Sequence, residues 1–164
     1  MTDGLPAVRS ASPSEFGRLR AIELESDQLF ATIGIGPFDN DDVHDRLREV
    51  AVVFAAGDPP VGFVSVDIVD GCAHIDQVSV LTGHGHRGIG RALVDHAVQW
   101  ARAAGLSAVT LTTFRDVPWN APFYRQVGFE VVDDPTPGLA AVRAAERAEG
   151  LDGFGPRVAM RLEL

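Results

Sequence analysis

With 164 residues, 46% of them apolar, the chain is expected to fold as one domain over residues 1–164 and is too hydrophobic for disorder. A formal net charge of −9 excludes nucleic acid as the natural partner, because most of the surface would repel a phosphate backbone, and it tilts the choice of substrate towards a cation. A single cysteine, Cys72, rules out an intramolecular disulfide, and there is neither an apolar run of about 18 residues nor a basic-then-apolar leader. A cytoplasmic protein with no membrane partner is the expectation.

In chain order, Pro6–Arg9 reads as a first strand, followed by Ser12-Pro-Ser-Glu15, a capping box with proline at the first helical position. The helix it opens at Pro13 should bury Phe16, Leu19, Ile22 and Leu24, with Arg18, Arg20, Glu23 and Glu25 in water. Ile33–Pro37 is a loop by its glycines and proline, and Asp41 or Asp42 can cap a second short helix through Leu47. Strands follow at 50–54, 61–68 and 73–80, joined by turns at Gly57-Asp-Pro-Pro60 and Asp70-Gly71, so they make an antiparallel meander. Cys72, between Gly71 and Ala73, fits a small buried filler better than a nucleophile.

A helix from Ile89 keeps Leu93, Ala97, Trp100 and Ala104 on its apolar positions and stops at Gly105, and 108–114 supplies the next strand. Strand, helix, strand implies a parallel crossover, which makes the sheet mixed. Asn120 caps a helix that Gly128 closes, strand 129–132 follows, and Thr136-Pro137 opens a further helix that runs to Gly150. After a loop at 153–156, the last strand, 157–164, should turn Val158, Met160, Leu162 and Leu164 inward with its charged residues outward.

Between the strand ending at Val80 and the helix starting at Ile89 lies Gly83-His-Gly-His-Arg-Gly-Ile-Gly90. Its glycines let main-chain N–H groups converge without Cβ obstruction, and a helix start adds unpaired N–H groups and a positive dipole end. A phosphate or pyrophosphate is the guest such a loop suits. Arg87 and Arg91, with His84 and His86, add positive charge to an otherwise acidic chain. The spacing His84-x-His86 brings no further metal ligand with it, so no metal is expected.

Together these residues resemble the GNAT superfamily of acetyl-coenzyme-A-dependent N-acetyltransferases, whose pyrophosphate loop is commonly written Arg/Gln-x-x-Gly-x-Gly/Ala. Gly88-Ile89-Gly90 with Arg91-Ala-Leu93 fits the loop and helix start, and Tyr124-Arg-Gln-Val-Gly-Phe129 looks like the family's Tyr-x-x-x-Gly-Phe. The similarity spans roughly residues 60–132. Gly85 stands where the motif carries arginine or glutamine, which would leave that phosphate contact to His86 or Arg87. The family's asparagine, seven residues before the tyrosine, would fall at Val117, so Asn120 does not inherit its role.

The resemblance implies a mixed, mostly antiparallel sheet of about seven strands flanked by helices, and an N-acetyltransferase with acetyl-CoA as donor. The cofactor-binding residues it implies are Val78, Ser79 and Val80 on the pantetheine arm, His86, Arg87, Gly88, Ile89, Gly90 and Arg91 on the pyrophosphate, and Asn120, Phe123 and Tyr124 nearby. Catalysis would fall to the Val80 N–H as oxyanion donor, Asp76 as base and Tyr124 as the acid for the departing thiolate, with His74 or a water chain as alternatives for the base. The partner would be a small-molecule or peptide amine, with a homodimer left open. Two other readings stand beside this one. A non-catalytic acyl-CoA sensor would share the fold, and Gly83-x-Gly85-x-x-Gly88 also matches the dinucleotide fingerprint of an oxidoreductase, although an antiparallel meander precedes it.

Overall fold

The computed structural model describes residues 4–38 and 43–164. Its elements run β1 (Val8–Ser10), α1 (Phe16–Ala31), α2 (Val43–Glu49), β2 (Val52–Ala56), β3 (Gly62–Val69), β4 (Cys72–Val80), α3 (Ile89–Ala103), β5 (Ala108–Phe114), α4 (Ala121–Val127), β6 (Glu130–Val131), α5 (Pro137–Ala148) and β7 (Arg157–Glu163). Hydrogen bonds order the strands β1-β2-β3-β4-β5-β7-β6, parallel between β4 and β5 and antiparallel at β1/β2, β2/β3, β5/β7 and β6/β7. This is the mixed seven-stranded sheet expected from the sequence. The chain divides into two compact units, Met1–Asp67 with Asp76–Gln99 and Ile68–Ile75 with Trp100–Leu164, and β3 and β4 run through both.

In the first unit the capping box forms as read. The Ser12 N–H donates to Glu15 Oε1 at 3.0 Å, and the Glu15 N–H donates to the Ser12 carbonyl at 2.9 Å. Residues Pro13–Glu15 make a 3₁₀ turn, so the α-helix proper begins at Phe16 rather than Pro13. Arg9 forks onto the Glu15 carboxylate at 2.8 and 2.7 Å and ties β1 to the helix start. From there α1 packs Phe16, Leu19 and Ile22 with Leu47, Val53, Ala55 and Phe63, each full aliphatic burial being worth roughly 1.5–3 kcal/mol.

Two expectations for α1 are corrected. Leu24 is 41% exposed, whereas Glu23 is only 8% exposed. The reason is angular: Glu23 lies seven residues after Phe16, about two turns, and returns to its face, while Leu24, two residues beyond Ile22, points about 200° away from it. The proposed caps Asp41 and Asp42 lie outside the described residues.

The second unit holds β5 over the predicted span, and α3 ends as expected at Gly105, whose φ is +73°. The Leu106 N–H reaches the Ala101 carbonyl at 3.1 Å to close the helix end. Cys72 is buried beside Ser107 and Arg161, in keeping with a filler role. Thr136 does not cap α5 with its own side chain. Asp70, from the β3–β4 turn, does so instead: its Oδ2 accepts the Gly138 N–H at 2.7 Å, and bonds from Thr136 and Gly138 hold this carboxyl below its usual range.

The pattern in β7 is also corrected. Ala159 and Met160 are both buried, so each face of the strand is covered, and Leu164 is exposed. On one face Arg157 pairs with Glu146 of α5 at 3.1 Å, over the Phe114 ring, and Arg143 of α5 forks onto Asp152 at 3.0 and 2.8 Å. The segment read as a loop at 153–156 starts within a 3₁₀ turn, Leu151–Phe154, which carries that aspartate. An alternating strand suggests one apolar face, but Arg157 meets Glu146 of α5 rather than water, while Arg161 turns to Glu163 and Cys72.

The fork on Glu15 gives a pH signature. Hydrogen bonds from Arg9 and Ser12 lower the Glu15 carboxyl from 4.5 to about 2. A carboxyl depressed on folding contributes stability that is fully present above its unfolded value and is lost as pH falls through the folded one. Urea midpoints measured as pH is lowered from about 4.5 to about 2 should fall less steeply for Glu15→Gln than for the parent. Parallel curves would remove this pair from the acid response.

Candidate active site

The end of β4 and the loop after it belong to the first unit, and a close approach fixes them. A Cβ on Gly62 of β3 would lie 3.0 Å from the Ser79 carbonyl, 3.2 Å from Val80 Cγ2 and 3.3 Å from Leu93 Cδ1, so only glycine lets β3, β4 and α3 meet there. Ser79 is buried with its Oγ accepting from Gln77 Nε2 at 3.0 Å, and Val78 and Val80 are half-buried. The Leu81 N–H donates to Val61 of the preceding turn at 2.9 Å. Main-chain groups alternate sides along a strand, so those of Val78 and Val80 point away from β3. The parallel register with β5 comprises Ala73↔Val109 and His74↔Thr110.

From Val80 the chain makes a 3₁₀ turn, Thr82–His84, and then places His86 at φ +61° and Gly88 at φ +85° before entering α3. The first α3 hydrogen bond runs from the Ala92 N–H to the Gly88 carbonyl at 3.0 Å. Hence the N–H groups of Ile89, Gly90 and Arg91 have no partner within the helix and stand at its positive end. Residues 85–88 are exposed, whereas Ile89 and Leu93 are buried and anchor the helix. Among the described residues Arg87 forms no ion pair, but Arg91 is taken up by Asp95 at 3.1 Å, one turn on. The positive charge available to an anion is therefore less than the sequence suggested, and main-chain N–H groups carry more of the task. Thr82 Oγ1 donates to Glu25 of α1 at 2.8 Å and tethers the turn.

Asp76, earlier on β4, meets a residue the sequence reading missed. Arg46 of α2 donates from Nε to Asp76 Oδ2 at 3.1 Å and from Nη2 to Oδ1 at 2.6 Å, a two-pronged pair with side chains 46% and 21% exposed. The Asp76 bond and the negative field of Asp67 and Glu49 raise the guanidinium above its ordinary value. No sequence spacing could have found a partner thirty residues away on a short polar helix.

His74, the other candidate base, lies in the second unit, buried with Nδ1 at 2.9 Å from Thr110 Oγ1. Also there, α4 starts after Asn120, whose Oδ1 accepts from the Phe114 N–H at 3.3 Å rather than capping the helix. Gly128, at φ +116°, closes α4 as expected. Tyr124 stacks edge-on with Phe123 and Phe129 at 5.1 and 5.7 Å. Burial pushes its phenol up, so the hydroxyl keeps its proton at neutral pH. Among the described residues no ring of three or more potential ligands could hold a metal.

Main-chain groups turned away from β3, a glycine turn and a helix N-terminus follow one another here, an arrangement able to hold an anion through the backbone. A model described as the acetyltransferase (GNAT) family matches residues 18–129, and the chain belongs to that family. It is an acyltransferase. The fold is similar to a GNAT acetyltransferase from Staphylococcus aureus, with TM-score 0.71 and 16% identity over 96% of this chain and 98% of that one. It is also similar to the PaiA N-acetyltransferase of Thermoplasma acidophilum, with TM-score 0.67 and 18% identity over 96% and 98%. A GNAT acetyltransferase from Brucella melitensis aligns with TM-score 0.60 and 20% identity over 79% and 88%. The family assignment sets aside the dinucleotide reading, whose fingerprint the same glycines happened to satisfy.

Gly62→Ala tests the foundation of the site. A methyl 3.0 Å from a carbonyl oxygen forces β3 and β4 apart, so thermal or urea unfolding should show a loss of about 1–3 kcal/mol. Parent stability in this variant would mean that the approach of the two strands is not tight.

Proposed function

We propose that the chain moves an acetyl group from acetyl-CoA to a primary amine by direct attack in a ternary complex. The observation that carries this reading is the direction of the Val78 and Val80 main-chain groups, away from β3, directly ahead of the loop and the start of α3. Acetyl-CoA would supply the thioester. The proteins from Thermoplasma acidophilum and Brucella melitensis were solved with coenzyme A and acetyl-CoA, respectively.

In this proposal Val78, Ser79 and Val80 pair with the pantetheine arm, and the Val80 N–H faces the thioester oxygen, where negative charge grows. His86, Arg87, Gly88, Ile89, Gly90 and Arg91 hold the pyrophosphate, mainly through N–H groups. Asn120 and Phe123 shape the surroundings of Tyr124. A carboxylate offers about four lone-pair positions and Arg46 uses two, so Asp76 can still accept from an ammonium. An ammonium sheds two protons on becoming an amide: one leaves through Asp76 as the free amine forms, and the second, released as the N–C bond forms and the C–S bond breaks, replaces the proton that Tyr124 gives the thiolate. The acceptor is a small-molecule or peptide amine, and residues 1–164 work as one domain in the cytoplasm; among the described residues no helix is long and apolar enough to cross a membrane.

Release of free thiol from acetyl-CoA across a panel of amines tests the proposal, and silence with every amine would favour a binding protein over an enzyme. Coenzyme A should raise the melting temperature and NAD should not. Gly88→Val should weaken coenzyme A binding, because a β-branched residue resists φ +85°. Gly90→Val should weaken it too, by crowding the phosphates.

Tyr124→Phe deletes only the hydroxyl, so cofactor affinity should hold while kcat drops by roughly 10²-fold. Full activity would hand that proton to water. Asp76→Asn should lose turnover mainly near neutral pH and less at high pH, where more amine is already free. A pH–rate profile identical to the parent's would take Asp76 out of the mechanism.

A further inference from the structure

The Arg46–Asp76 pair has a geometry that leaves both partners unfinished. Arg46 meets Asp76 side-on, through Nε at 3.1 Å and Nη2 at 2.6 Å. A guanidinium has five N–H donors in a rigid fork, and the side-on pair spends two of them. The end-on edge, formed by Nη1 and the second hydrogen of Nη2, lies outside the pair and matches a second carboxylate. Among the described residues no other hydrogen bond engages the Arg46 side chain, which is 46% exposed, and Asp76, 21% exposed, keeps lone pairs for a donor. A cation and an anion thus stand side by side, each able to take one more partner of opposite charge without breaking the bond between them.

We propose that the acceptor is a zwitterion, an α-amino acid whose carboxylate binds the end-on edge of Arg46 while its amine binds Asp76. This rests on the acetyl-transfer reading and narrows its substrate class. A simple amine would satisfy Asp76 and leave the second edge of Arg46 to water; a simple acid would satisfy Arg46 and offer nothing to acetylate. An α-amino acid has its two charges a few bonds apart, as the Arg46–Asp76 pair has its own. Asp67 and Glu49 act on Arg46 through their charge, and their negative field favours the ammonium end of a zwitterion. Asp76 thereby fixes the amine, and Arg46 fixes the orientation of the carbon that carries it. Arg46 is then the residue that sets specificity.

The test compares each of the twenty amino acids with its α-amide, reading thiol release from acetyl-CoA. The amide keeps the side chain and removes the negative charge, and since it also makes the amine less basic, kcat/KM is expressed per concentration of free amine. For at least one amino acid, kcat/KM should exceed that of its amide by about tenfold or more, the size expected when a charged hydrogen-bonding group loses its partner. In Arg46→Gln that ratio should fall to near one, and in Arg46→Lys, which keeps the charge without the fork, it should lie between. Amides accepted as well as the acids by the parent enzyme would overturn the proposal, as would a ratio unchanged in Arg46→Gln. Should Arg46→Gln fail to fold, the parent's own ratio decides. Thiol release with amides and simple amines but not with amino acids would overturn this inference alone, whereas no release with any amine, alongside a coenzyme A-induced rise in melting temperature, would overturn acetyl transfer as well.

Discussion

The missing side chain at position 62 is the constraint on which the site depends. Where β3 begins, β4 and α3 come close enough that the Ser79 carbonyl, Val80 and Leu93 fill the space a Cβ would need. Three elements meeting at one glycine cannot slide independently, because interior packing leaves few gaps to slide into. Val80 and the first turn of α3 are therefore fixed relative to one another before any ligand arrives. Preorganisation of this kind favours binding through main-chain N–H groups, whose positions are only as good as the backbone that carries them.

Electrostatics modify that frame more than they build it. The loop's positive residues are fewer in effect than in number, since Arg91 already answers to Asp95. Exposed pairs of this kind contribute little to stability, typically about 0–1 kcal/mol, but they decide what a ligand must displace. Arg46 on Asp76 is the opposite case, a pair that occupies the candidate base without exhausting its lone pairs. In an acidic chain, a guanidinium beside a candidate base is a local change of sign, and such changes can discriminate among substrates of equal size.

The order of strands and helices was legible because periodicity and punctuation are local signals. Gly105 and Gly128 ended the helices expected of them, and β5 spans the residues read for it. Errors arose where a distant partner outvoted the local pattern. Glu23 is charged, yet its angle returns it to the Phe16 face, and Arg157 of β7 meets Glu146 of α5 rather than water. The glycine loop and Tyr124 could be picked out by motif, but Arg46 could not. Its partner is set by tertiary placement, and nothing in the stretch between two positions thirty residues apart encodes the distance. Asn120 shows the same limit on a smaller scale, its amide serving the Phe114 N–H six residues back.

Asp70 and α5 carry a temporal consequence. The carboxylate that receives the Gly138 N–H lies 68 residues earlier in the chain, in the tight turn between β3 and β4. Synthesis proceeds from the N-terminus, so the receiving group exists, and its hairpin can close, before the helix that needs it has been made. A helix start without its own side-chain cap is a weak beginning for an isolated segment, since the first turn is the costly one to form. Here the deficit is filled by something already waiting when α5 emerges, which orders the hairpin ahead of the helix in the life of each newly made chain.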